Sequence, residues 1–139
     1  MDAITGGCHC KAVRYVCNAE PQVAGHCQCT DCRRFSGSGH SSHMLVPEAA
    51  VELNGSAKGY AAPADSGNIV TRYFCPACGA PVYSTNSGMP GAMFLRASSL
   101  DDPARFRPQM VVWTRSAPAW DHVDPNLPGF PAQPPLPGR

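Results

Sequence analysis

Charge is scarce in this chain of 139 residues: only 15% are Asp, Glu, Lys or Arg, and the net charge is +1. Basic residues are scattered, with Arg33–Arg34 the one adjacent pair beside a motif. The basic face that nucleic-acid binding demands is missing, so no nucleic-acid partner is expected. No apolar run reaches the length of a membrane span, and no membrane partner is expected either. The opening "MDAITGGCHC" lacks a basic stretch followed by an apolar one, so no secretory signal is read there. Internal repeats are also absent. What remains is a single-domain length with 43% hydrophobic residues, enough for one core.

Cysteine, proline and glycine fill the space that charge leaves, at 8, 15 and 13 residues. That composition favours short strands and tight turns over long helices. Apolar alternation gives strands in "KAVRYVC", "QVAGHC", "SSHMLV", "AVEL", "NIVTRYF", "PVYS", "AMFLRA" and "QMVVWT". Turn signals separate them at Gly6–Gly7, Asn54–Gly55, residues 65–67, residues 86–91 and residues 101–103. One short helix is expected, capped by Thr30 or Asp31 and stopped at Gly37. Residues 1–121 read as an all-β domain, and the Pro-rich 122–139 as a C-terminal arm docked to about Pro131 through Leu127 and Phe130.

Seven of the eight cysteines form three clusters: Cys8-x-Cys10, Cys27-x-Cys29-x-x-Cys32 and Cys75-x-x-Cys78. In a reducing cytosol, the compartment expected here, such spacing points to metal rather than disulfides. On a strand, Cys8 and Cys10 would offer both sulfurs to one side. "FCPACGA" has the form of a zinc knuckle. Those two pairs together make a closed four-sulfur zinc site, although spacing alone also permits Cys27 and Cys29 to join the knuckle. Three thiols then remain at Cys27, Cys29 and Cys32, with Cys32 in the first turn of the helix. Three protein ligands with an open fourth position are the pattern of a catalytic zinc. Cys17, His9 or His26 could fill the vacancy. Cys17, however, shares a strand face with Val13 and Tyr15 and reads as core, and His26 falls on the strand face opposite Cys27. Soft thiolate ligands suit a substrate thiol as the fourth partner, and therefore chemistry at a carbon–sulfur bond.

Arg33 or Arg34 could hold a substrate carboxylate beside this site, and Ser36 could line the pocket. His40 and His43 read as surface or half-buried histidines, and Asp101–Asp102–Pro103 as a turn. Trp113 and Trp120 read as core and arm anchors.

From "GGCHCKAVRY" through "CQCTDCRRFSGS" and "FCPACGAPVYS" to "LDDPARFRP", the chain resembles the glutathione-dependent formaldehyde-activating enzymes, grouped with centromere protein V. The resemblance implies a β-tent fold of small antiparallel sheets. It also implies two zinc ions: a structural one on Cys8, Cys10, Cys75 and Cys78, and a catalytic one on Cys27, Cys29 and Cys32. The implied activity is S-(hydroxymethyl)glutathione synthesis from glutathione and formaldehyde, a carbon–sulfur lyase reaction. A non-catalytic zinc-binding interaction module is the alternative. Two residues depart from the family pattern: Lys11 stands where Gly is usual after the second cysteine, and Met110 where His is common.

Overall fold

Alternation between Val13 and Cys17 starts the core. Val13, Tyr15 and Cys17 are at most 1% exposed, while Arg14 and Val16 between them are half-buried. The computed structural model describes residues 1–136, so the last three residues of the expected 122–139 arm lie outside the described residues. It is mostly β. Strands β1 (Ile4–Gly7), β2 (Arg14–Cys17) and β5 (Val51–Asn54) make a small antiparallel sheet in the order β1-β2-β5. The remaining strands are β3 (Val23–Cys27), β4 (Ser41–Pro47), β6 (Lys58–Pro63), β7 (Ile69–Phe74), β8 (Pro81–Asn86), β9 (Ala92–Arg96) and β10 (Met110–Val112). They form a seven-stranded sheet in the order β10-β3-β4-β9-β8-β7-β6, antiparallel except where β10 runs parallel to β3. Among the described residues one α-helix is present, α1 (Thr30–Ser36), between β3 and β4.

Both faces of the large sheet are put to use. Met44, Val46, Tyr83, Met93 and Leu95 join Ile4, Val13, Tyr15 and Cys17 of the small sheet in one buried cluster. Tyr73 and Tyr83, paired across β7 and β8, stack at 4.4 Å. On the other face, Cys27, His43, Leu45, Phe94, Ser84 and Arg72 line a cavity, each from a different position along the period-2 alternation. That division of faces is what places a site on this fold.

Two strands escape the alternation reading. Gly6–Gly7 belongs to β1 and not to a turn: Gly6 pairs with Tyr15, and a Cβ on it would come within 2.4 Å of the Tyr15 hydroxyl. Glycine is required there for close approach. Strand β6 contains Gly59 and Pro63 and is ordered by pairing along β7 at the sheet edge.

The helix start is also corrected. Cys29, in extended conformation, is the N-cap in place of Thr30 or Asp31, and its sulfur accepts the Cys32 amide at 3.2 Å. The end is at Gly37, in left-handed conformation (φ 69°). At the far edge of the large sheet the arm runs beside β10. The Val111 amide donates to the Pro128 carbonyl at 2.9 Å, and the Phe130 amide donates to the Val111 carbonyl at 2.9 Å. These bonds satisfy backbone groups that an edge strand would leave open. Trp113 lines the cavity half-buried instead of anchoring the core, and Trp120 is 64% exposed. The turn from Pro118 to Asp121 buries the Asp121 carboxylate and leaves the Trp120 indole outside.

Candidate metal and thiol site

The sulfurs of Cys8, Cys10, Cys75 and Cys78 lie within 4.8 Å of one another. Cys8 and Cys10 do not sit on a strand. They occupy the tight loop between β1 and β2, closed by the Cys8 amide on the Val13 carbonyl at 3.0 Å. Curvature of the loop, not strand pleating, brings the two sulfurs to 3.7 Å, and Cys10 reaches Cys75 at the same distance. A tetrahedron with metal–sulfur bonds of about 2.3 Å has edges of roughly 3.8 Å. A disulfide would need about 2.05 Å. The described cysteines are all unpaired. Amides supply the rest of the environment: Val13 N–H donates to the Cys8 sulfur at 3.2 Å and Ala77 N–H to the Cys75 sulfur at 3.4 Å. Gly79, at φ 79°, closes the knuckle with its amide on the Cys75 carbonyl at 2.8 Å. Backbone amides draw the Cys78 thiol down to about 6, toward the thiolate a metal requires.

Cys27, Cys29 and Cys32 form the second group, again with sulfurs within 4.8 Å of one another. The end of β3 supplies Cys27, the helix cap supplies Cys29, and the first turn of α1 supplies Cys32. Hydrogen bonds from Cys27 and Cys32 pull the Cys29 thiol far down, and the hydrogen bonds of Cys27 to Cys29 and Cys32, with burial, push the Cys27 thiol far up. A bound divalent ion would hold all three sulfurs as thiolates. The donor set fits a soft divalent metal such as zinc. Among the described residues no fourth His, Cys, Asp or Glu joins this group. Cys17 is fully buried with its thiol toward the Ala19 carbonyl at 3.6 Å, and His9 is exposed. His26 turns to Ser42 at 2.8 Å and packs edge-on against His40 and Phe106.

All three cysteines border a cavity of about 540 Å³. Behind the cysteines, Gln28 is 4% exposed and donates to Asp121 at 3.0 Å, which also meets His40 at 3.0 Å. His43, in the cavity wall, contacts Ser41 at 2.7 Å and Arg96 at 3.4 Å; burial, then the guanidinium charge, holds it neutral well below the usual imidazole range. Arg96 is buried, is held down to about 10 by desolvation, and bonds Ser84 at 3.0 Å. Arg72 and Met110 also line the cavity.

Arg33, Arg34 and Ser36 are not among the cavity-lining residues. Ser36 closes its own helix, donating to the Arg33 carbonyl at 3.1 Å and accepting the Ser38 amide at 3.2 Å. Successive helical positions diverge by about 100°, so a helix that buries Cys32 turns its next two side chains away. The sequence reading missed Arg72, Arg96, Gln28 and Asp121. For Arg72 the signal was available, since Val70 and Arg72 share a face of an alternating strand.

Residues 3–116 match the sequence profile of the glutathione-dependent formaldehyde-activating enzymes. The chain belongs to this family. A Halomonas elongata protein with the provisional name of glutathione-dependent formaldehyde-activating enzyme is 24% identical over 127 residues, covering 87% of this chain and 81% of its own. The crystal structure of a Rhodobacter sphaeroides protein shares the fold, with a TM-score of 0.57 at 17% identity over 91% of this chain and 98% of that one. The C-terminal arm lies past the matched residues, yet its Gln133 and Leu136 reach the cavity wall.

Proposed function

We propose that this protein joins glutathione to formaldehyde to give S-(hydroxymethyl)glutathione. In that reaction a sulfur–carbon bond forms, the carbonyl π bond opens, and the thiol proton ends on the new hydroxyl. The observation that carries the reading is the meeting of three thiols with a cavity large enough for a peptide-sized thiol. Family membership supports the substrate pair.

Cys8, Cys10, Cys75 and Cys78 would hold a structural zinc, and Cys27, Cys29 and Cys32 a second. When bound, the second ion supplies a soft Lewis acid that lowers the pKa of a thiol beside it. The chain does the rest. Arg96 offsets negative charge on the three cysteines from within the sheet. Gln28, locked by Asp121, fixes the segment that spaces Cys27 from Cys29. Eight free thiols suit a reducing cytosol. A cavity reaching the three-cysteine group favours this reading over an interaction module, which needs no such access.

The test is the rate of hydroxymethyl exchange between formaldehyde and glutathione, followed by NMR, on protein whose zinc content has been measured. Two zinc ions per chain and acceleration over the uncatalysed reaction are expected, with Cys29→Ser abolishing the acceleration and retaining one zinc. Fully metallated wild type that gives no acceleration refutes the proposal.

A further inference from the structure

The cavity is divided along the strand order. Over β10, β3, β4 and β9 its floor is apolar. Val23, Leu45 and Phe94 stand side by side in one row of the register. In the next row Met110 leans over Gly25, where an added Cβ would lie 3.1 Å from the Met110 Cγ. Among the described residues, no Asp, Glu, Lys or Arg of these four strands lines the cavity. Polar groups collect at the other end. Strands β8 and β7 bring Ser84, Asn86 and Arg72 there, and the β6–β7 turn brings Asp65 and Asn68, with Val70 and Ala64 the apolar members.

Trp113 and Leu136 continue the apolar wall above the floor. Trp113 sits at φ 60°, in the left-handed region that a bulky side chain rarely holds. The Arg115 guanidinium carbon lies 4.7 Å from the centre of the indole. The next amide, of Thr114, donates to the Phe130 carbonyl at 3.1 Å, the same strip of chain that ties in the arm. A strained turn and the arm thus complete one wall. It reaches the three-cysteine group, since Val112 pairs with Cys27 and Met110 stands two positions along. At about 3.3 Å per residue, the Met110 row lies about 7 Å and the Val23 row about 13 Å from Cys27 along the strand.

Formaldehyde has a single carbon and no apolar group to set on such a wall. Glutathione is a charged peptide whose ends suit the polar half. Resting on the proposed addition of a thiol to an aldehyde, we infer that the site also takes aldehydes carrying an apolar chain, which lies along Leu45, Phe94, Met110, Trp113 and Leu136. The step is redox-neutral. A sulfur–carbon bond forms, the carbonyl π bond opens, and the thiol proton passes to the oxygen to give a hemithioacetal. Each methylene set on the wall leaves water, which favours the longer chain. The unbranched thioether of Met110 adapts its shape to such a chain.

Exchange of glutathione with ethanal and with hexanal, followed by NMR on the zinc-loaded protein, tests this. The two carbonyls each bear one alkyl group, and the chains differ by four methylenes. Catalytic efficiency should be about 10–100-fold higher for hexanal. Met110→Gln, similar in length but polar, and Leu136→Asn, on the arm outside the sheet, should each lower the hexanal-to-ethanal ratio by about 3–10-fold. Should Met110→Gln not fold, Leu136→Asn decides alone: an unchanged ratio overturns the inference. Equal efficiencies in the wild type overturn it too, while acceleration with formaldehyde leaves the proposed function standing. No acceleration with formaldehyde, ethanal or hexanal overturns both.

Discussion

Cys10 and Cys75 are 65 positions apart in sequence, and their sulfurs stand 3.7 Å apart. The contact joins the β1–β2 loop to the β7–β8 knuckle, and thereby the small sheet to the large one, with Cys8 and Cys75 inside the shared core. A metal here would be coupled to folding by roughly 10–16 kcal/mol, as much as the whole net stability of a domain this size. Cys75→Ser is therefore expected to abolish cooperative melting, and Cys29→Ser to lower the melting temperature only modestly. Thermal denaturation of the two variants checks the contrast, which equal melting would contradict.

Lys11 sits at φ 70°, in the left-handed region, where its Cβ is strained. Its amide closes the cysteine loop on the Cys8 carbonyl at 3.4 Å. Lys11→Gly relieves about 1–2 kcal/mol of strain and gives back about 0.4–1 through a freer unfolded chain. A gain of about 0.5–1 kcal/mol in urea unfolding is the expected result. The glycine usual at this position in the family has its physical reason here.

Asp121 holds the buried Gln28 amide and His40 together behind the three-cysteine group. Asp121→Ala leaves a buried amide unpaired and should cost about 1–3 kcal/mol. Because Gln28 loses the same bond, the double variant with Gln28→Ala should be less destabilised than the sum of the singles. Additive urea midpoints would show that the bond carries nothing.

His43 is depressed well below 6.5 by burial and by the neighbouring Arg96. The unfolded chain thus binds a proton that the folded chain refuses. Its contribution to stability is complete above about pH 6.5 and is lost as pH falls below that, at up to about 1.4 kcal/mol per pH unit. His43→Gln removes the titration, so its stability should fall less steeply than wild type between about pH 6.5 and 5, as measured by urea unfolding at fixed zinc.

Cys17 tests the boundary between ligand and core. It is fully buried in the cluster with Val13 and Tyr15. Cys17→Ala should cost about 1 kcal/mol of packing and leave the zinc count unchanged by elemental analysis. Loss of a zinc would make it a ligand.

Sequence alone determined the strands whose residues alternate, because period 2 is a local property written in the chain. It also determined the three cysteine groups, since ligands carried on one turn must sit one or two residues apart. Tertiary structure decided which groups meet. Nothing local distinguishes the knuckle's partner at Cys8 and Cys10 from the thiols at Cys27 and Cys29; sheet order places the first pair beside Cys75. Tertiary structure likewise chose Arg72 over Arg33 and Arg34 for the cavity, because a helix rotates neighbouring side chains away from Cys32, whereas β7 carries Arg72 across two strands onto the face shared by Phe94 and Cys27. Residue type and spacing state which chemistry is available, and only the register of distant strands fixes which residues can perform it together.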